Sequence, residues 1–191
     1  MKSTATVLVS VLLTGLVAAS PAAAQTRLVA PPTTAAAESE AYTPFMLSFV
    51  TPLQVPPRDF DVGGLRISLI FGECRNFDGL DIGVVGRTTG AANGLQLGAI
   101  ANIVQGDGLG FQAGTVNAVK GEYTGLQIGV ANYAEKATAF QIGVYNGAKH
   151  IEGCQIGLIN TTRTMAGIQI GLINVIQDND APFIPVINGY F

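Results

Sequence analysis

One phrase recurs in tandem through the second half of this 191-residue chain: Gln-x-Gly-x-x-Asn, with an apolar residue on either side of the glutamine. Successive glutamines lie 16, 15, 14, 14 and 14 residues apart. A short, fixed period of this kind predicts a repeat architecture rather than a globular domain with a pocket. The repeated residues are Gln96, Gln112, Gln127, Gln141, Gln155 and Gln169, together with Asn117, Asn132, Asn146, Asn160 and Asn174. Weaker copies continue through Arg66 and Asp81 upstream and through Phe183 downstream.

The positions around each glutamine predict strands. With the glutamine numbered zero, positions −1, +1 and +3 are apolar nearly throughout, as in Leu126, Ile128 and Val130. This alternation is typical of a strand with one buried face, so we expect these residues to point inward and the glutamine to lie on the opposite face. The alternation ends near the asparagine, where the chain is expected to turn.

Such a coil is best explained as one turn of a β-solenoid. Identical residues stacked in register would form ladders of glutamine and of asparagine amides. Each unit would bury its apolar residues only against its neighbours, which is why several tandem copies are needed. Eight or nine layers would give a rod about 40 Å long. In this arrangement Ile156→Asp is expected to bury a charge in the middle of the stack and unfold it.

An antiparallel outer-membrane β-barrel is the alternative fold. Alternating apolar segments and a chain that ends in Phe191 favour it. The spacing leaves few residues for turns, because a membrane-spanning strand needs about 9 to 11 residues. Trp is absent and only 5 Tyr occur, so the aromatic girdles of a barrel would be thin. The sequence therefore favours an all-β solenoid of 14–16-residue repeats and keeps the barrel as the second possibility.

The N-terminal residues have the pattern of an export signal. Lys2 precedes an apolar run from Ala5 to Ala19, and small residues at 22–24 offer a cleavage site before Gln25. We therefore predict a signal peptide over 1–24, a flexible leader rich in Pro, Thr and Ala over 25–42, and a β-repeat domain over 43–191. Cleavage would leave nine basic and thirteen acidic residues, a net charge of −4 that gives no electrostatic footprint for nucleic acid.

No residue pattern predicts catalysis. His150, the one histidine, lies in a polar turn and does not recur in other copies. Asp59 with Asp61, and Asp178 with Asp180, lack the further ligands that a metal site needs, so turn formation is the better interpretation. We predict no catalytic, cofactor-binding or metal-ligating residues and no cofactor. Cys74 and Cys154 lie about five repeats apart, too far for a disulfide in a stack of coils, so both thiols are expected to be free.

The repeat resembles a known family. Tandem Gly-Leu-Gln-Ile-Gly-x-x-Asn units, the upstream segment Gly79–Gly83 and a closing Pro-Val-Ile-Asn before a terminal Phe are similar to bacterial surface repeat-containing proteins first described in leptospires. The resemblance covers residues 46–191 and implies a location at the cell surface or in the envelope, without site residues. The core Gln127–Ala134 also partly resembles a curlin repeat, which implies a capacity for self-assembly.

Together these features predict a function without catalysis. The first expectation is an exported surface or envelope repeat protein with a structural or adhesive role, whose ladder faces would meet a glycan, another protein or a second copy of the chain. The alternative is an outer-membrane pore. The ligand, envelope component or partner copy is not specified by the sequence.

Overall fold

The structure is a computed structural model that describes residues 41–191, so the predicted signal peptide lies outside the described residues. Every regular element between residues 41 and 191 is a strand. The strand β1 begins at Tyr42, so the last residue of the predicted leader already belongs to the fold. The strands are β1 (Tyr42–Val50), β2 (Leu53–Val55), β3 (Asp61–Cys74), β4 (Phe77–Thr88), β5 (Ala92–Val104), β6 (Gly108–Gly171), β7 (Ile173–Ile176) and β8 (Val186–Tyr190).

Neighbouring coils pair in parallel and in register. β1, β3, β4, β5 and β6 follow one another across the sheet, and each pairs in parallel with the next. β6 contains 64 residues and winds through several successive coils. Within it, Gln141 bonds to Gln127, which lies 14 residues earlier in the chain and one coil earlier in the stack. This arrangement confirms the β-solenoid and not the antiparallel barrel.

Nine coils make up the stack, and each is identified by the residue that it contributes to one internal column. From coil 1 to coil 9 these residues are Met46, Arg66, Asp81, Gln96, Gln112, Gln127, Gln141, Gln155 and Gln169. The sequence had placed Arg66 and Asp81 at this same repeat position. The column therefore joins two charged residues to a run of amides.

The interior and exterior of the coil are the reverse of what the alternation predicted. Gln127, Gln141 and Gln155 are fully buried, whereas Ile156 is 40% exposed and Leu158 is 51% exposed. The prediction that positions −1, +1 and +3 point inward is therefore wrong, and so is the prediction that Ile156→Asp buries a charge. Alternation separates the two faces of a strand correctly, but the polar face is the one that faces the interior.

Two further columns complete the interior with mostly apolar side chains. The column at position −4 contains Phe77, Tyr123, Ile151 and Met165, all at most 5% exposed. Seven residues after the residue of the glutamine column, or eight in coils 2 and 4, small and branched side chains fill the far side of the coil. This second column is Cys74, Thr88, Val104, Val119, Ala134, Ala148, Thr162 and Ile176. Coils 4 to 9 thus place two mostly apolar residues, one glutamine and one asparagine inside, and the stacking of neighbours buries all four columns.

Antiparallel strands close both ends of the stack. β2 pairs antiparallel with β1 at one end, and β8 pairs antiparallel with β6 at the other. The sequence placed Phe183 in the glutamine column, which is wrong: Asn188 lies opposite Gln169, whereas Phe183 forms a single bridge with Val175. Pro185 precedes β8 and has no backbone N–H to donate, so it limits further strand addition at this end.

Candidate functional site

The six glutamines form one continuous hydrogen-bonded ladder inside the stack. Five of the six Nε2 atoms donate to the Oε1 of the glutamine in the preceding coil at 2.7–2.8 Å, and Gln96, the first glutamine, only accepts. All the donors therefore point toward the N-terminal end of the rod. A buried amide costs little when a partner satisfies it, which is why a polar column can occupy the interior.

The asparagines form a second ladder that runs in the opposite sense. Asn132 Nδ2 donates to Asn146 Oδ1 at 2.9 Å and to the carbonyl oxygen of Ile142 at 2.9 Å, so it binds both the side chain and the backbone of the next coil. Asn117, Asn146 and Asn160 make the equivalent pair of bonds. Asn174, in the last coil, donates instead to the Gly171 carbonyl at 2.8 Å.

Asn102 also belongs to the asparagine ladder, although the sequence did not predict it. Its Nδ2 donates to Asn117 Oδ1 at 2.8 Å. Asn102 follows its glutamine by six residues instead of five, because the register shifts between Gly98 and Ala101 where coil 4 holds an additional residue. The 16-residue spacing between Gln96 and Gln112 is the signal that could have identified it.

Glycine at position +2 leaves the space that the asparagine ladder needs. A Cβ on Gly143 would lie 2.8 Å from Asn132 Nδ2 and 3.2 Å from Asn146 Oδ1, and it would also contact the Gly129 carbonyl. The repeated glycine is therefore explained by close packing between the strand and the ladder.

The ladders present no surface to a partner. All eleven predicted ladder residues are at most 3% exposed, so the expectation that ladder faces meet an external ligand is wrong. Their role in the structure is to hold consecutive coils in register, because a shift by one residue would leave each buried amide without its partner.

Substitution in the middle of the asparagine ladder should destabilise the protein more than substitution at its end. Asn132→Leu removes both donated bonds and leaves Asn146 Oδ1 without a donor, so we expect a loss of about 2 to 3 kcal/mol. Asn174→Leu removes a single donated bond and the bond that Asn174 accepts from Asn160, whose amide keeps its bond to the Ile170 carbonyl, so it should cost about 1 to 2 kcal/mol. Urea unfolding monitored by circular dichroism measures both values. Equal losses of unfolding free energy for the two variants would show that the bonds between coils contribute no more than the bond within one turn.

A buried ion pair ends the glutamine ladder. Arg66 Nη2 lies 2.5 Å from Asp81 Oδ2, and their side chains are 0% and 2% exposed. Arg66 Nη1 also donates to Cys74 Sγ at 2.8 Å and to the Arg87 carbonyl at 3.1 Å. Burial disfavours the charged guanidinium, but the hydrogen bond and the charge of Asp81 raise the pKa of Arg66 overall. The guanidinium reaches across the space that Gly86 leaves open.

The most prominent external feature is a continuous apolar surface on one side of the rod, which we call the apolar face. It consists of positions −1, +1 and +3 of all nine coils, and none of the 27 side chains is buried. Twenty-six of the 27 are apolar and none is charged; Thr115 is the exception. The residues are Phe45, Leu47, Phe49, Leu65, Ile67, Leu69, Leu80, Ile82, Val84, Leu95, Leu97, Ala99, Phe111, Ala113, Thr115, Leu126, Ile128, Val130, Phe140, Ile142, Val144, Cys154, Ile156, Leu158, Ile168, Ile170 and Leu172.

A shallow depression of about 650 Å³ lies on the apolar face of the last coils. Ile128, Ile142, Ile156 and Ile170 line it, and each is 38–41% exposed. These four side chains occupy the same position in consecutive coils, so the depression is a groove along the rod rather than an enclosed pocket.

Charged residues cluster at the other edge of the coil, where they pair between layers. Lys136 Nζ lies 2.9 Å from Glu122 Oε1, and the bond raises the pKa of Lys136. Lys149 contacts Glu135, and this hydrogen bond lowers the pKa of Glu135. The chain thus separates its charged edge from the apolar face.

His150 and Asp61, two of the residues considered for chemistry, have structural partners. His150 Nδ1 lies 2.6 Å from Thr164 Oγ1 at the exposed edge. Asp61 accepts hydrogen bonds from Arg75 at 2.7 Å and from Asn76 at 3.0 Å, and the bond from Arg75 is the main cause of its lowered pKa. Among the described residues, no group of three or more His, Cys, Asp or Glu could hold a metal ion.

Both cysteines are free, as the repeat spacing predicted. Cys74 is fully buried, and burial raises the pKa of its thiol. Cys154 lies at position −1 on the apolar face and is partly exposed, so the expectation that residues at this position point inward is wrong for it as well. Burial also raises the pKa of Cys154, which disfavours its thiolate.

The part of the chain that the structure describes contains no helix long and apolar enough to cross a membrane. No protein-family model matches the chain, and no curated protein or solved structure matches it.

Proposed function

We propose that this chain is an exported structural repeat protein of the bacterial cell envelope, and that it acts by binding through its apolar face rather than by catalysis. The observation that carries the proposal is the apolar face itself, which extends over all nine coils without a charged side chain. Exposed apolar surface on this scale marks an interaction site, because soluble monomers rarely maintain patches larger than a few hundred Å².

The amide ladders support a structural role. Parallel coils joined through buried side chains and backbone bonds form a rod whose length is set by the number of repeats. Such a scaffold holds its outward side chains in regular rows, and these rows form the surface that would bind a partner. The charged edge, with its pairs between layers, is suited to contact with water.

Export is the second part of the proposal, and it rests on the sequence. Lys2, the apolar run from Ala5 to Ala19 and the small residues before Gln25 have the order of a secretory signal. The resemblance of residues 46–191 to surface repeat-containing proteins supports an envelope location.

Fractionation of bacteria that express the full chain tests this proposal. We expect the mature protein to begin at Gln25, to be absent from the cytoplasm, and to be released from the envelope by alkaline carbonate without detergent. A matched chain that lacks residues 2–24 should stay in the cytoplasm. Recovery of the full chain from the cytoplasm with its N-terminus uncleaved would overturn the proposed export.

A further inference from the structure

We infer that the apolar face is the interface between two copies of this chain, packed face to face as a closed dimer with two-fold symmetry. This inference rests on the structural role proposed above and not on export. The size, charge and regularity of the apolar face favour a second copy of the chain as its partner.

The size of the face is close to that of a standard interface. Nine coils at about 4.7 Å each give a length of about 40 Å, and four residue steps give a width of about 13 Å, so the flat footprint is about 500 Å². Sixteen large apolar side chains of the face project from it and are each 36–66% exposed, so the accessible area exceeds the footprint. It thus approaches the about 800 Å² of accessible surface that a standard interface removes from each partner. Leu158, Leu172 and Val130 are each more than half exposed, which shows how much surface the isolated chain leaves uncovered.

The charge distribution favours a partner that is equally apolar. No position of the face carries a charge, so it offers no electrostatic attraction to an anionic lipid or to a charged protein. The whole chain is acidic and contains no Trp, the residue most typical of a membrane interface. Lys136 and Lys149 lie at the charged edge and pair with acidic residues there. A second copy supplies a surface of the same polarity.

The regular rows make the face complementary to itself. In both copies, side chains project from a parallel sheet in rows with the same spacing of about 4.7 Å, so the ridges of one face can enter the grooves of the other. Two sheets packed in this way lie about 10 Å apart and exclude water from the side chains between them. Because both copies use the same face, the dimer leaves no apolar face free to bind a third chain, and assembly stops at two chains.

The ends of the rod do not provide a competing interface. β2 and β8 are antiparallel caps, and Pro185 precedes the strand at one end. Short antiparallel strands at both ends, with Pro185 before β8, disfavour the end-to-end addition of parallel coils. The unpartnered surface is the side of the rod, which favours dimers over open filaments.

The first test is the mass of the purified mature chain in solution, measured by sedimentation equilibrium over a range of concentrations. We expect twice the chain mass, with a dissociation constant of about 1 µM or tighter, as for interfaces of standard size. Val130→Lys places a charge near the middle of one row, in coil 6 of nine, and should weaken association at least about 100-fold, because the charge would be desolvated against its partner. Since Val130 is 53% exposed and points outward, this variant should fold.

Gln177→Lys is the matched control, because it adds the same charge at an exposed position away from the apolar face. It should remain a dimer. Circular dichroism of both variants establishes that they are folded. If Val130→Lys associates as strongly as Gln177→Lys does, the apolar face is not the interface and the inference is wrong.

Cys154 provides a second readout that needs no substitution. It lies on the apolar face, so its alkylation by N-ethylmaleimide should slow as the protein concentration rises and the dimer forms. Cys74 is buried within the coil and should react only after unfolding. An alkylation rate for Cys154 that does not depend on concentration would contradict the dimer.

Other occupants of the face give different results in the same experiments. A chain that stays monomeric and floats with neutral phosphatidylcholine vesicles would overturn the inference in favour of a lipid surface. A monomer that does not float, or a filament of indefinite length, would overturn it as well. If the mature protein is released by carbonate but is monomeric, the proposed export stands and the dimer is overturned. If the protein is a dimer but is recovered from the cytoplasm, the dimer stands and the proposed export is overturned.

Discussion

Ile151→Asp should prevent the protein from folding, whereas Ile156→Asp in the same coil should leave it folded. Ile151 is 2% exposed in an apolar column, and Ile156 is 40% exposed on the apolar face. An ionised carboxylate without a partner costs several kcal/mol in the interior, which is comparable to the whole stability of a typical domain. Circular dichroism and thermal unfolding of the two variants at neutral pH measure the difference.

The neutral variant Ile151→Asn separates the effect of charge from that of lost packing. Burial should raise the folded-state pKa of the carboxyl introduced by Ile151→Asp above its unfolded value of about 3.9. Its destabilisation is therefore present at neutral pH and decreases as the pH falls through the folded-state pKa toward the unfolded one. The difference in stability between Ile151→Asp and Ile151→Asn should shrink over that range. A folded Ile151→Asp with an unfolded Ile156→Asp would show that interior and exterior are assigned the wrong way round.

The contrast between Ile151 and Ile156 also shows what the repeat could predict. The alternation of Leu126, Ile128 and Val130 with Gln127 correctly placed the apolar residues together on one face of a strand. It could not establish which face lies inside, because burial depends on whether the amides find partners in the neighbouring coils. The four inner glutamines, Gln112, Gln127, Gln141 and Gln155, each bond to the glutamine on either side, so the polar face can be buried and the apolar face is left outside.

The fixed period predicted the ladders but not their irregular members. Spacings of 14 residues bring like residues into register, and Gln141 and Gln155 bond as such stacking requires. Asn102 joins its ladder only because a register shift absorbs an additional residue, a feature of local backbone geometry. Asn188 enters the glutamine column because β8 reverses direction, and a parallel repeat pattern does not contain that reversal.

The candidate binding surface was the hardest feature to derive from the sequence. Residues such as Ile142 and Leu158 have the composition of a core, so the expectation that they are buried within one chain was reasonable. In the coil, however, Gln141 and Asn146 occupy the space between the strands that a second set of large side chains would need. In the inferred dimer, these residues are buried between two chains instead of within one.

Arg66→Ala should destabilise the protein by about 3 to 5 kcal/mol, because it leaves Asp81 as a buried charge without its partner. It also removes the bonds that the guanidinium makes to Cys74 and to the Arg87 carbonyl. Arg75→Ala is the matched control: its pair with Asp61 is partly exposed, so it should cost at most about 1 kcal/mol. Urea unfolding at constant pH measures both. A small loss for Arg66→Ala would show that the pair contributes little to holding coils 2 and 3 together.

The double variant with Arg66→Gln and Asp81→Gln tests why the ladder ends in a charged pair. Glutamine at both positions continues the amide column by two coils, so neither residue is left as an unpaired charge. The loss of unfolding free energy in the double variant should therefore be smaller than the sum of the losses in the two single variants. We expect a difference of about 1 to 3 kcal/mol in a double-mutant cycle. It should remain less stable than the parent, because a glutamine does not fill the space beside Gly86 that the guanidinium occupies. Additive single losses would show that the two residues act independently despite their 2.5 Å contact.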